Sequence, residues 1–182
     1  MKLFTEKTFA ALCALCMVTG LCACSEKEEK KQYSPISGLV LELPDGYTVN
    51  YPEDDNAVYD EFYTFNDTVG VTSVYVTSEE NTQELSTYFA YVTNQYSQLT
   101  DYKFYSQSQK KIGGFDAIDT DFEYCAEYES GTRMTFRCYI AIIQKRETAY
   151  VVTCVSPKET FSKHSDEFKA ITDSVVFVDL NK

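Results

Sequence analysis

The sequence has no tryptophan and a single histidine, His164, among its 182 residues. One histidine is too few for the common zinc sites that need two imidazoles, and no C-x-x-C pair follows residue 24. Serine-hydrolase, phosphate-loop and dinucleotide-binding motifs are also missing. Ser162 and Asp166 lie close to His164 but form no triad with it, because neighbouring side chains on one helix diverge. We therefore predict that His164 is a surface or packing residue.

The sequence also lacks an apolar run long enough to span a membrane comfortably. An uncharged, largely apolar run extends from Phe9 to Cys24, which is only 16 residues. As a helix it would reach about 24 Å, whereas the hydrocarbon core of a membrane is about 30 Å thick. The run follows Lys2 and Lys7, which is the layout of a secretory signal peptide. We predict that residues 1–23 are a signal peptide.

Residues 21–24 read Leu-Cys-Ala-Cys and resemble the bacterial lipobox, which has Leu at −3 and a small residue at −1 before a lipidated cysteine. Cys24 fits this pattern, whereas Cys22 follows the bulky Leu21. A diacylglycerol thioether on Cys24 would anchor the protein to the extracytoplasmic face of the cell membrane. The alternative is an ordinary cleaved signal with incidental cysteines.

The chain after Cys24 is strongly acidic. If Cys24 is the first mature residue, the mature chain has 159 residues and a net charge of −13. Such a chain repels nucleic acid and anionic headgroups, so membrane attachment must come from the lipid. Residues 24–37 are charged, which is typical of a tether, with partner docking as the alternative. Residues 38–182 have the size of one globular domain.

Two segments of this domain have helical periodicity. The first is predicted to begin at Asn81 as N-cap, with Glu84 completing a capping box. The second is predicted to begin at Ser156 as N-cap, with Pro157 in the first turn. Apolar residues recur at helical spacing in both, as Leu85, Phe89, Val92, Tyr96 and Leu99 in the first and Phe161, Phe168 and Ile171 in the second.

The remaining segments alternate as strands joined by short turns, such as Gly113-Gly114 and Ser130-Gly131. They predict an α+β fold in which two helices cover an antiparallel meander. After Gly114, even-numbered positions are mostly apolar and odd-numbered positions acidic, and the next strand places Arg133 and Arg137 at odd positions. Because apolar faces must coincide, these arginines should face the acidic row on a salt-bridged outer face.

Three loose motifs of this domain resemble the PsbP-like family, whose fold is shared with the Mog Ran-binding protein. They are Leu43-Pro44-Asp45-Gly46-Tyr47, Gly114-Phe115-Asp116-Ala117, and the ending formed by Phe168, Ile171 and Asp173-Ser174-Val175-Val176-Phe177. The resemblance implies an α-β-α sandwich. It also implies an assembly or interaction factor rather than an enzyme.

Three cysteines remain beyond the anchor, so at most one internal disulfide can form. Cys125 is predicted on the polar face and Cys138 on the apolar face, so these two should not form a bond. If Gln144 paired with Thr148, Cys138 and Cys154 would lie opposite each other, which makes them a candidate disulfide. Reduced, buried thiols are the favoured interpretation.

Clusters of carboxylates give only weak site hypotheses. Residues Glu53, Asp54 and Asp55 are candidates for a Ca²⁺ site, but their order does not match an EF-hand, and a solvated loop is favoured. Asp116, Asp119 and Asp121 resemble the acid pair of a glycosidase, yet nothing in the sequence marks one of them for a raised pKa.

The sequence therefore favours a lipid-anchored, non-catalytic interaction or assembly protein with a protein partner and no cofactor. The second hypothesis is a lipoprotein that binds a small ligand or a divalent metal such as calcium. The third is an extracytoplasmic hydrolase.

Overall fold

The computed structural model describes residues 38–50, 60–66, 70–128 and 130–178. The strands in these ranges are β1 Leu39–Val40, β2 Thr48–Asn50, β3 Glu61–Asn66, β4 Val71–Glu80, β5 Lys103–Ile112, β6 Phe115–Glu127, β7 Arg133–Lys145, β8 Thr148–Pro157 and β9 Val176–Phe177. The helices are α1 Leu85–Tyr96 and α2 Lys158–Asp173. Each element overlaps a segment predicted to have the same secondary structure.

Seven strands form one antiparallel sheet in the order β2-β3-β4-β8-β7-β6-β5. Two runs of sequential antiparallel strands, β2–β4 and β5–β8, lie side by side because β4 pairs with β8. The chain crosses from the central strand β4 to the edge strand β5 through α1. The predicted meander is therefore two meanders joined at the centre of the sheet. Strands β1 and β9 form a separate two-stranded pair.

The two helices pack on opposite faces of the sheet, which confirms the predicted α+β class and α-β-α sandwich. On β7, Ile140 and Ile142 belong to the core on the α1 side, and Ala141 and Ile143 to the core on the α2 side. The predicted apolar stripes face these cores, with Phe89 and Tyr96 buried on α1 and Phe161, Phe168 and Ile171 buried on α2. A sheet buried on both faces explains why β7 and β8 contain nearly continuous apolar runs.

Helix α1 begins later than its capping signal predicts. The Asn81 side chain accepts a hydrogen bond from the Gln83 N–H at 3.0 Å and donates one to the Gln144 side chain at 2.7 Å. Because these contacts hold Asn81 in a turn, the predicted capping box does not form. The residue before α1 is Glu84, which makes no side-chain capping bond.

Helix α2 also begins after its predicted start. Ser156, the predicted N-cap, pairs with Arg137 of β7 as part of strand β8. Pro157 has extended backbone angles and pairs with Phe136, so the helix begins at Lys158. Strand pairing therefore outweighs the local capping signal here.

The candidate disulfide between Cys138 and Cys154 is not formed, and both thiols are free. The two-residue turn between β7 and β8 pairs Gln144 with Ala149, one residue further along than predicted. A shift of one residue reverses the face of every side chain on a strand. Cys138 consequently lies in the core on the α1 side and Cys154 in the core on the α2 side. All three thiols, including that of Cys125, are buried.

Candidate functional site

A groove of about 380 Å³ lies between helix α2 and the side of β5–β7 that faces it. Its lining side chains are almost all polar or charged: Ser106, Asp121, Arg137, Tyr139, Lys158, Phe161, Ser162, Ser165 and Lys169. The α2 members recur every three or four residues, so one face of the helix lines the groove. We call this feature the Arg137 groove.

The register of β6 and β7 brings arginines and carboxylates together beside this groove. Arg137 pairs with Glu123 and Arg133 with Glu127, so the prediction that the arginines face the acidic row is confirmed. The prediction that this face is the outer surface is wrong, because α2 covers it and Asp119 and Glu123 are buried. The sequence pattern defined the two faces correctly but could not show that a helix packs on the polar one.

The Arg137 side chain is held on three sides. Its Nε and Nη2 donate to the two carboxylate oxygens of Asp121 at 2.8 and 2.6 Å. The guanidinium carbon lies 3.9 Å from the centre of the Tyr105 ring and 4.5 Å from that of Phe161. A planar guanidinium suits both the paired hydrogen bonds and the aromatic stacking. Arg137 is therefore oriented before any ligand arrives.

A β-bulge positions the Tyr105 ring. Phe104 pairs with Phe122, but Ser106 pairs with Asp121, so Tyr105 is the extra residue on edge strand β5. The Tyr105 hydroxyl donates to Glu123 at 2.6 Å, which fixes the ring against Arg137. Bulges commonly redirect a side chain in this way.

A second ionic cluster adjoins the groove through Tyr139. The Lys110 ammonium lies 2.9 Å from Asp119 and 2.8 Å from Asp173. The Tyr139 hydroxyl donates to one Asp119 oxygen at 2.6 Å, and the Ser108 hydroxyl donates to the other at 2.7 Å. Burial of Tyr139 and its hydrogen bond to Asp119 raise its pKa to about 12. The phenol is therefore a hydrogen-bond donor rather than a base at neutral pH.

These contacts keep the buried carboxylates ionised. Burial acts to raise the pKa of Asp119, but hydrogen bonds led by that from Tyr139 more than offset it, so the pKa lies below its usual value. The hydrogen bond from Tyr105 likewise lowers the pKa of Glu123. A general acid needs a pKa raised toward the working pH. Asp116 lies on the opposite face of β6, so the three predicted aspartates do not converge.

Several hydrogen-bond donors of the groove are unused within the part of the chain that the structure describes. They are Nη1 of Arg137, the Lys169 ammonium, and the hydroxyls of Ser162 and Ser165. The Lys158 ammonium is half-exposed and contacts Glu123 at 3.1 Å. The groove therefore offers more donors than its own carboxylates consume.

The sequence contains a signal for this region that motif analysis missed. The stretch between Gln32 and Tyr102 contains twelve acidic residues and no lysine, arginine or histidine. Its charge of −12 equals the net charge of the whole chain. This stretch supplies β1–β4 and α1, whereas every described lysine and arginine follows it, beginning with Lys103 on β5. The half of the sheet formed by β2–β4 consequently has no described cation and carries Glu79 and Glu80 on β4, whereas the described cations of the sheet lie on the half that contains the groove.

No other predicted site residue that the structure describes lines the groove. The anchor Cys24 and the calcium candidates Glu53, Asp54 and Asp55 lie outside the described residues. His164 is buried, its Nδ1 lies 3.2 Å from Glu167, and its ring stacks on Phe168, as expected of a packing residue. Among the described residues, no three His, Cys, Asp or Glu side chains are grouped to hold a metal ion.

The fold is that of the PsbP and Mog1 proteins. The chain resembles cyanobacterial PsbP (CyanoP) from Synechocystis sp. PCC 6803 with a TM-score of 0.61 and 10% identity, covering 88% of this chain and 99% of that one. It resembles LpqN of Mycobacterium tuberculosis, with a TM-score of 0.56 and 14% identity over 78% of this chain and 83% of LpqN. It also resembles the Saccharomyces cerevisiae Ran-binding protein Mog1p, with a TM-score of 0.55 and 12% identity over 84% and 97% of the two chains.

Sequence comparison adds no family to this structural likeness. No protein-family model matches the chain, and neither does any curated protein sequence. In the described ranges, neither helix is long and apolar enough to cross a membrane.

Proposed function

We propose that this protein is a lipid-anchored, extracytoplasmic, non-catalytic interaction module that recognises a protein partner through the Arg137 groove. Cys24 is its lipid attachment site, residues 24–37 its tether, and the domain that follows its binding part.

The observation that carries this proposal is the state of the polar groups in the groove. Asp121 is committed to Arg137, and Glu123 to Tyr105 and Lys158. The donors that face the groove are free to bind a ligand, whereas the pKa of Glu123 is lowered by the hydrogen bond from Tyr105 rather than raised as a general acid requires. A rigid cation with spare donors beside an aromatic ring is suited to recognition, because little ordering is required on binding.

Two further observations support the cellular setting. The lipobox-like Leu-Cys-Ala-Cys predicts an anchor at the extracytoplasmic face of the membrane. Of the proteins with this fold, LpqN is involved in cell envelope biogenesis and Mog1p binds Ran, so the fold serves at an envelope and in protein recognition.

Site-specific photocrosslinking in the native membrane tests this proposal. A photoreactive amino acid at Ser162, which lines the groove, should give one discrete protein adduct. The same group at Lys163, which is exposed on another face of α2, is the matched control and should not. No adduct at Ser162, or equal adducts at both positions, would contradict the proposal, and a small-ligand lipoprotein would then be favoured.

The anchor is tested separately by fractionation. Cys24→Ser should release the protein from membranes, whereas Cys22→Ser should leave it attached, because only Cys24 follows a small residue. Retention of the Cys24→Ser protein on membranes would show that the predicted lipid is not the anchor.

A further inference from the structure

We infer that the Arg137 groove binds a carboxylate side chain presented by an extended acidic segment of the partner protein. This inference rests on the proposed function and adds the chemistry of the ligand to it.

The donor set of the groove matches a carboxylate. Nη1 of Arg137 is aligned by the Asp121 pair and by the rings of Tyr105 and Phe161, so it enters the complex without losing conformational freedom. The Lys169 ammonium and the Ser162 hydroxyl line the same groove and supply further donors. Two oxygens of one carboxylate can accept from several such donors at once.

The charge balance favours a singly charged group over a phosphate. Lys110 is neutralised by Asp119 and Asp173, Arg137 by Asp121, and Lys158 by Glu123. Of the cations at the groove, Lys169 is the one that makes no ion pair within the described ranges. With Lys169 included, the four cations equal these four carboxylates in number, so the region is neutral overall. Its acidic groups would therefore repel a doubly charged phosphate more strongly than a singly charged carboxylate.

The edge strand favours an extended peptide over a free small molecule. Strand β5 is the last strand of the sheet, and its Ser106 lines the groove. Within the described residues, its outer backbone groups have no strand partner. A peptide that pairs with an exposed edge places alternate side chains on one face, here the groove face. Lysines and a β-bulge on an edge strand discourage pairing with unrelated strands. A peptide that pairs with this edge would therefore need acidic side chains.

The charge distribution along the sheet adds direction to this recognition. Glu79 and Glu80 on β4 lie on the half of the sheet that has no described cation, and they repel an acidic segment. Lys103 on β5 makes no ion pair within the described ranges and attracts it. Such complementarity mainly raises the association rate and the specificity, and salt weakens it.

A binding measurement with designed peptides tests the inference. The probe is a fluorescein-labelled peptide of alternating Glu and Thr, compared with the same peptide in which Gln replaces Glu. The Glu peptide should bind the full chain about tenfold or more tightly, since a charge-assisted hydrogen bond contributes about 1.5–3 kcal/mol. Equal binding of the two peptides would overturn the inference.

Two exposed lysines of α2 provide the variants. Lys169→Glu should weaken binding of the Glu peptide about tenfold or more, because it converts the unmatched cation into a repelling charge. Lys163→Glu changes the net charge equally on a face of α2 that does not line the groove, so it should have a much smaller effect. Equal losses in the two variants would mean that the peptide senses only net charge, and would overturn the inference.

Competition and NMR give the remaining outcomes. Acetate should displace the Glu peptide at least as well as inorganic phosphate. Much stronger displacement by phosphate would show that the groove is a phosphate site and not a carboxylate site. Backbone amide shifts caused by the peptide should follow β5, and shifts confined to other strands would contradict edge pairing. A crosslinked partner at Ser162 whose capture survives Lys169→Glu would refute the inference while leaving the proposed function intact.

Discussion

Replacing Arg137 with methionine is expected to lower the free energy of unfolding by about 2–3 kcal/mol. The Arg137 and Asp121 side chains are only 28% and 16% exposed, and two short hydrogen bonds join them. Breaking a fully buried pair costs about 3–5 kcal/mol, whereas an exposed pair contributes up to about 1 kcal/mol. This pair lies between those limits. Methionine retains much of the contact with Tyr105 and Phe161, so most of the loss reports the charge.

A double-mutant cycle isolates the contact itself. Asp121→Asn removes the negative charge at constant size, and the double variant removes both partners. We expect an interaction energy of about 1–2 kcal/mol between the two positions. Urea unfolding followed by circular dichroism measures each free energy, and an unchanged m-value shows that the unfolding reaction is the same.

Arg133→Met is the matched control on the same strand. Arg133 is 50% exposed and lies 3.0 Å from Asp101 at the surface. Its loss should cost much less than the loss of Arg137, because solvent screens an exposed ion pair. If Arg137→Met cost no more than Arg133→Met, or the interaction energy were below about 0.5 kcal/mol, Asp121 would not hold the guanidinium. The groove would then not be preorganised.

Two further predictions concern the acidic groups and the thiols. The pKa of Asp119 is lower in the folded protein than in the unfolded chain. Ionised Asp119 therefore stabilises the fold fully above the unfolded pKa of about 4, and this stabilisation is lost as the pH falls through the folded-state pKa. Asp119→Asn should therefore flatten the acid side of a plot of unfolding free energy against pH, and an unchanged slope would contradict this. When the protein is denatured without reductant, an alkylating reagent should modify Cys125, Cys138 and Cys154. In the native protein Cys154 should resist alkylation, because burial raises the pKa of its thiol. Two thiols left unmodified after denaturation, measured by mass, would indicate a disulfide.

Regular patterns in the sequence predicted the regular parts of the fold. Alternation between polar and apolar residues identified the strands and placed Arg133 and Arg137 on the same face as the acidic row of the neighbouring strand. The helical stripes were also predicted correctly, because burial of a periodic face outweighs local variation.

Local signals failed where tertiary contacts competed with them. Asn81 has the composition of a helix cap, but its side chain is held by Gln144, which lies 63 residues further along the chain. Ser156 has the same preference, but β8 continues through it. The β7–β8 register depended on a turn of two residues rather than three, and this difference placed Cys138 and Cys154 on opposite faces.

The sequence by itself determined the strands, the two amphipathic helices, the candidate anchor Cys24 and the separation of charge along the chain, because each depends on neighbouring residues or on composition. Only the tertiary structure decided that helix α2 covers the acidic side of β6. It also brought Tyr105, Arg137 and Phe161 together from a bulged edge strand, a central strand and a helix. The groove is a contact between distant segments, and its geometry depends on strand order, register and one bulge. No local pattern encodes those three features together.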